Sequence, residues 1–168
     1  YDGELNLETD KYQDNIMIRR ARLKFDGFAY SPKLEYKIEL AVSNRDNGRV
    51  AAEGNSAANI VLDAVLKYKF APNWQLWVGQ TKLPGNRERV ISSQALQFVD
   101  RSQLNSKYNI DRGTGVQLHG KQKLGAVVVK EIGAISMGEG RNFTADNIGG
   151  YEFTGRLELL PFGEFSSK

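Results

Sequence analysis

Polar and apolar positions alternate along this chain with a period of two, over and over, which predicts β-strands rather than helices. From Ile16 to Tyr30 one face carries Ala21, Leu23, Phe25, Gly27 and Ala29, and the other carries Arg20, Arg22, Lys24 and Asp26. After Ser31-Pro32-Lys33 the pattern resumes, with Leu34, Tyr36, Ile38, Leu40 and Val42 opposed by Glu35, Lys37, Glu39 and Ser43. Next, Ile60, Leu62, Ala64, Leu66, Tyr68 and Phe70 alternate with Asp63, Lys67 and Lys69. A turn at Ala71-Pro72-Asn73 then leads into Trp74, Leu76 and Val78, opposed by Gln75 and Trp77. Val116 and Leu118 oppose Gln117, His119 and Lys121. A turn from Gln122 to Gly125 predicts a strand over 126–136 whose facing stays open, because Val127, Val128 and Val129 are consecutive. Finally Tyr151, Phe153, Gly155, Leu157 and Leu159 alternate with Glu152, Thr154, Arg156 and Glu158. The pattern predicts about seven strands, each longer than the roughly 5–6 residues usual in soluble sheets.

The connections sort into two lengths. Short ones at Ser31, Ala71, Gln122 and Pro161 alternate with long ones at Asn44 to Ala58, Thr81 to Asp111 and Gly138 to Gly150. Short turns at one end and long loops at the other characterise transmembrane β-barrels. Tyr30, Tyr36, Phe70, Trp74 and Phe162 cluster beside the short turns, where an interfacial girdle sits. An all-β, antiparallel transmembrane barrel is therefore expected. An open sheet would leave unsatisfied edges in hydrocarbon, so residues 1–168 are read as the N-terminal part of one larger barrel domain. A further strand is expected ahead of Ile16, ending near Tyr1 to Gly3, which makes residues 81–111 the third long loop.

Composition narrows the function classes. No run of about 18 apolar residues exists, so no transmembrane helix is expected, and any export signal is expected upstream of Tyr1. Cysteine is absent and His119 is the single histidine, which removes thiol chemistry and Cys-based zinc sites; His119 is read simply as a polar strand residue. The 23 basic and 20 acidic side chains nearly balance, so nucleic-acid binding is not indicated. Asp46 and Asp146 lie in long loops, but their spacing fits no EF-hand, and no metal or other cofactor is expected. Acidic residues are scattered with no nucleophile-base pair or carboxylate dyad, so no enzyme activity is expected.

One stretch is more specific. Val78-Gly79-Gln80-Thr81-Lys82-Leu83-Pro84, then Arg87-Glu88, Ser92-Ser93, Phe98, Asp100-Arg101-Ser102, Arg112 and Gly115 follow in order. This resembles the phosphate-selective porin O and P family of bacterial outer-membrane proteins, with Gly85 after Pro84, Asp100 and Ile110-Asp111 as departures from its pattern. The resemblance implies a trimeric barrel of about 16 strands in the outer membrane, in contact with lipid and lipopolysaccharide. It also implies an inward third loop that narrows the pore, and basic lumenal residues that favour small anions such as phosphate.

The residues that would carry such a function are the pore-lining Arg20, Arg22, Lys24, Lys37, Lys67, Lys69 and Lys121. Lys82, Arg87, Arg89, Arg101, Lys107 and Arg112 would belong to the constriction loop. Arg20, Arg22 and Lys24 recur at every second position, forming a ladder with about 7 Å per step along which an anion could pass. Cross-strand ion pairs with Glu35 and Glu39 are the other reading. Val90, Ile91, Ala95, Phe98 and Val99 in the loop are spaced for a short amphipathic helix; an outer lid or a trimer contact is the alternative to a constriction. Passive diffusion of small hydrophilic solutes leads the functional readings. A barrel anchoring other envelope proteins is the second, and a soluble ligand-binding barrel, apolar inside, is the third.

Overall fold

The computed structural model describes residues 2–6, 11–15, 18, 20–43, 60–92, 95, 96, 98, 101–142 and 149–164. Two strands, β1 (Asp2–Asn6) and β2 (Lys11–Asn15), pair antiparallel with each other. The main sheet holds seven strands: β3 (Arg22–Ala29), β4 (Ser31–Ala41), β5 (Val61–Ala71), β6 (Trp74–Lys82), β7 (Arg112–Leu124), β8 (Val127–Ser136) and β9 (Glu152–Leu160). Each is antiparallel to its predecessor, in chain order, so the sheet is an uninterrupted meander. Strands of 9 to 13 residues in β4 to β9 are long enough for the roughly 9–11 residues that a tilted strand needs to cross a bilayer.

The two faces are inverted relative to a soluble protein. Phe25, Ile38, Leu66, Val78, Leu118, Ile135, Phe153 and Leu157, on the apolar face, are all exposed, whereas Asp63, Arg112 and Gln117 on the polar side are buried. The polar face is the concave one, since a single cavity there is lined by side chains from all seven strands of the main sheet and from the loop after β6. A soluble ligand-binding barrel would put its apolar residues inside. This sheet puts them outside, as a wall facing hydrocarbon requires. No helix among the described residues is long and apolar enough to cross a membrane.

Several boundaries differ from those the alternation predicts. Ahead of β3 the chain holds the separate β1-β2 pair, and β3 itself begins at Arg22. The turn expected at Gln122 to Gly125 lies at Gly125-Ala126, because Leu124 pairs with Val127. Gly125 takes φ +64° there, the positive value that a two-residue hairpin wants at its first position. The valine run resolves as well. Val128 pairs with Lys123 and Leu160 on the concave side and is 4% exposed, so Val127 and Val129 face outward.

Two glycines of the motif face each other across the β6-β7 pair, Gly79 opposite Gly115. Gly79 has φ +127°, and a Cβ there would overlap the Ala64 carbonyl oxygen; one at Gly115 would overlap that of Ile135. Neighbouring strands approach too closely at both positions for any side chain.

Asp46, the 44–58 loop and Asp146 lie outside the described residues, whereas Asn142, Ser31 and Asn73 do not. From the turn lengths, Ser31 and Asn73 are expected at the periplasmic end and Asn142 at the outer end. With no native cysteine in this chain, single Cys substitutions in the full-length protein should report this. Asn142→Cys should react on intact cells with an impermeant reagent too large for the pore, and Ser31→Cys and Asn73→Cys should not. Labelling at Asn73 instead would invert the topology.

Candidate functional site

The concave face holds a buried ionic cluster where β4, β5 and β7 meet the long loop. Asp63, 1% exposed, accepts a hydrogen bond from Arg112 Nε at 2.8 Å and another from the Lys37 ammonium. Lys37 also lies 2.8 Å from Glu39, which pairs with Arg22 at 3.2 Å. Cross-strand register makes the cluster possible, since Glu39 sits directly opposite Asp63 and would repel it without the cations between them.

The loop from Leu83 to Asp111 lies against the same face. Its described residues contain two short helical turns, α1 (Arg87–Val90) and α2 (Gln103–Lys107). Of the residues expected to form a short amphipathic helix, Val90 ends α1, Ile91, Ala95 and Phe98 are not helical, Val99 lies outside the described residues, and Phe98 is exposed. Asn86 caps α1, its side chain accepting from the Arg89 N–H at 2.8 Å. Ser102 caps α2 and donates its own N–H and O–H to Glu88, which ties the two turns together and holds the Glu88 carboxyl below the usual range.

Cations from the wall grip the loop backbone. Lys82 Nζ reaches the carbonyls of Val90 (3.4 Å) and Ile91 (3.2 Å), and Arg156 Nη1 on β9 donates to Gly85 O at 2.8 Å. Arg101 donates to the carbonyls of Glu88 and Ile91, both at 3.0 Å, and Arg89 pairs with Asp111. Burial, followed by the nearby Arg101 and Arg112, pulls Arg89 down to about 10, which leaves it charged at neutral pH. Gln80 makes a further tie toward the next long loop: its amide donates to Val61 O at 3.0 Å and accepts from the Asn142 N–H at 2.7 Å.

Nearer the short turns the face becomes lysine-rich. A cavity of about 490 Å³ is lined by Lys69, Lys121, Lys123 and Lys130. Lys121 and Lys130 both contact Glu164, at 2.7 and 2.6 Å, and those two hydrogen bonds lower the Glu164 carboxyl to about 2. Between this cavity and the ionic cluster, Trp77 stacks on His119 with ring centroids 3.9 Å apart, and Lys67 Nζ lies 4.2 Å above the indole.

Of the residues expected to line the pore, Arg22, Lys37 and Lys67 share the cavity beneath the loop, while Lys69 and Lys121 share the lysine-rich one. Lys24, paired with Asp26 at 3.1 Å, lines a third cavity with Lys37 and Lys67, and Arg20 precedes β3. The Arg22–Glu39 pair is one of the cross-strand contacts that competed with the ladder reading. Of the loop set, Lys82 ends β6 and Arg112 begins β7, both strand residues. Arg87 lies 3.6 Å from Glu158, and Lys107 is exposed beside Tyr108. Asp100 falls outside the described residues. Sequence reasoning passed over Arg156, Lys130, Glu164 and the Trp77-His119 stack. The signal that could have found the last was Trp77 itself, a large aromatic in the polar register of β6.

No curated protein sequence and no solved structure matches the chain. The family model described as phosphate-selective porin O and P matches residues 1–161 of 168. An all-β meander with an exposed apolar face, charged side chains on the concave face and a long loop against that face is the wall of a porin channel. The chain belongs to the phosphate-selective porin O and P family.

Proposed function

We propose that the channel lets small hydrophilic solutes diffuse passively across the outer membrane with a preference for anions, phosphate among them. The observation carrying this reading is the imbalance at the short-turn end, where Lys69, Lys121, Lys123 and Lys130 line one cavity and Glu164 is the carboxylate that touches two of them. Confined between low-dielectric walls, such a cluster raises the local concentration of anions. Lysine suits a transit site, because a compact ammonium on a flexible stem exchanges partners without the planar fork that holds a carboxylate in one geometry. The loop over residues 83–111 is the proposed constriction. The clamps from Lys82 and Arg156 support an inward position.

Reversal potentials of the full-length protein in planar bilayers under a salt gradient test the preference. Replacing Lys69, Lys121 and Lys123 together by Glu should lower the chloride-to-potassium permeability ratio roughly threefold or more. The Arg20, Arg22 and Lys24 ladder makes a weaker contribution in this reading, since Arg22 and Lys24 already have carboxylate partners. An unchanged ratio in a folded, conducting lysine variant would reject the anion-preferring reading and leave a general porin.

A further inference from the structure

We propose that Lys67, Trp77 and His119 form a subsite for organic anions that carry a flat ring, such as aryl phosphates or aryl carboxylates; the idea rests on the anion-passing reading above. A tryptophan on the polar face of a pore wall presents a large apolar ring to water, which simple ion conduction does not need. Here the ring is held for use. Its N–H is satisfied by Gln75 Oε1 at 3.0 Å, one face is backed by His119 at 3.9 Å and 20° between planes, and His119 is in turn fixed by Gln117 at 3.0 Å.

The Lys67 ammonium lies 4.2 Å from the ring centroid, brought there from β5 as the direct cross-strand neighbour of Trp77, whereas His119 comes from β7 on the other side. Among the described residues Lys67 has no carboxylate at ion-pair distance, unlike Lys37 beside it. Its flexible stem can therefore swing aside. An entering aromatic ring would take its place on the indole, by offset stacking, while the displaced ammonium meets the solute's anionic group. The cavity has room, at about 470 Å³, within the range of roughly 300–1,000 Å³ that suits small organic ligands. Ile132 beside His119 extends the apolar strip, and Val90 and Ile91 of the loop line the same cavity. The space thus combines apolar surface for a ring with cations for its charge.

The test compares inhibition of chloride current by methyl phosphate and phenyl phosphate in the full-length channel, since the two esters share a charged group and differ in the ring. Phenyl phosphate should half-block at a concentration about fivefold lower. Trp77→Leu should erase that difference with methyl phosphate unaffected, and Trp77→Phe should retain most of it. Unblocked conductance reports assembly of each variant. Equal half-blocking concentrations in the native channel would overturn the subsite while leaving the anion reading intact. A Trp77→Leu channel that still favours phenyl phosphate would overturn it equally. If neither ester inhibits the native channel, the anion reading fails and the subsite with it.

Discussion

Replacing Asp63 with Asn should destabilise the full-length barrel by about 3 kcal/mol, the low end of the range for removing one partner of a buried ion pair. Asp63 is 1% exposed and sits between Arg112, 5% exposed, and Lys37. Asn keeps the shape but removes the charge, leaving Lys37 with Glu39 and the buried Arg112 with the longer 3.6 Å approach to Asp111. The low end applies because Lys37 is 23% exposed, so water in the lumen can solvate it when its partner is lost. The urea midpoint for unfolding of the protein in lipid vesicles measures the effect. Changing Arg112 to Met in the Asp63→Asn background should recover part of the loss, since the stranded guanidinium is then gone. A change below about 0.5 kcal/mol for Asp63→Asn, the scale of an ordinary surface substitution, would show that the cluster is solvated and dispensable.

Asp63 also shows where sequence reading stops. Period-two alternation placed it correctly on the polar face, because facing depends only on parity along a strand. Its partner Arg112 is 49 residues away, and nothing local in the chain specifies that β7 brings it there. Strand number and order were legible for the same reason that the meander is simple: each strand pairs with its sequence neighbour across a turn or loop whose length is visible. Irregular positions were less legible. Gln122 to Gly125 carried the polar residues of a turn, yet pairing across Leu124 and Val127 shifted the hairpin to the glycine that could take a positive φ.

The family-like motif was legible as a signature and opaque as to purpose. In three dimensions most of its residues build the loop and its mounting. Gly79 and Gly115 permit close strands, Gln80 ties on the next loop, Lys82 and Arg101 grip carbonyls, Glu88 joins Ser102, and Arg112 neutralises Asp63. Arginines that a sequence suggests as anion ligands are thus engaged with backbone oxygens and carboxylates. Lys69 and Lys123, which have no such partners among the described residues, lie outside the motif altogether.

Freeing the loop should therefore change the current more than neutralising its charges does. Lys82→Met together with Arg156→Gln removes the contacts from β6 and β9 to Val90, Ile91 and Gly85 while leaving the loop's internal ties through Arg101 and Glu88 in place. All three contacts are charge-assisted hydrogen bonds to carbonyls, a class worth about 1.5–3 kcal/mol each at good geometry, so losing them together should let the loop leave the wall for much of the time. Single-channel conductance should rise about twofold, with added open-channel noise, and phosphate should block chloride current less well. Arg87→Gln together with Lys107→Gln is the matched control, because both side chains are exposed and the 3.6 Å approach of Arg87 to Glu158 is a weak surface pair; it also removes two positive charges and should leave conductance near native. Equal effects from the control and the Lys82-Arg156 variant would mean that charge, not loop position, governs the current. An unchanged conductance in a folded Lys82-Arg156 variant would mean that the loop does not narrow the pore, and the constriction would have to be sought among the strands themselves.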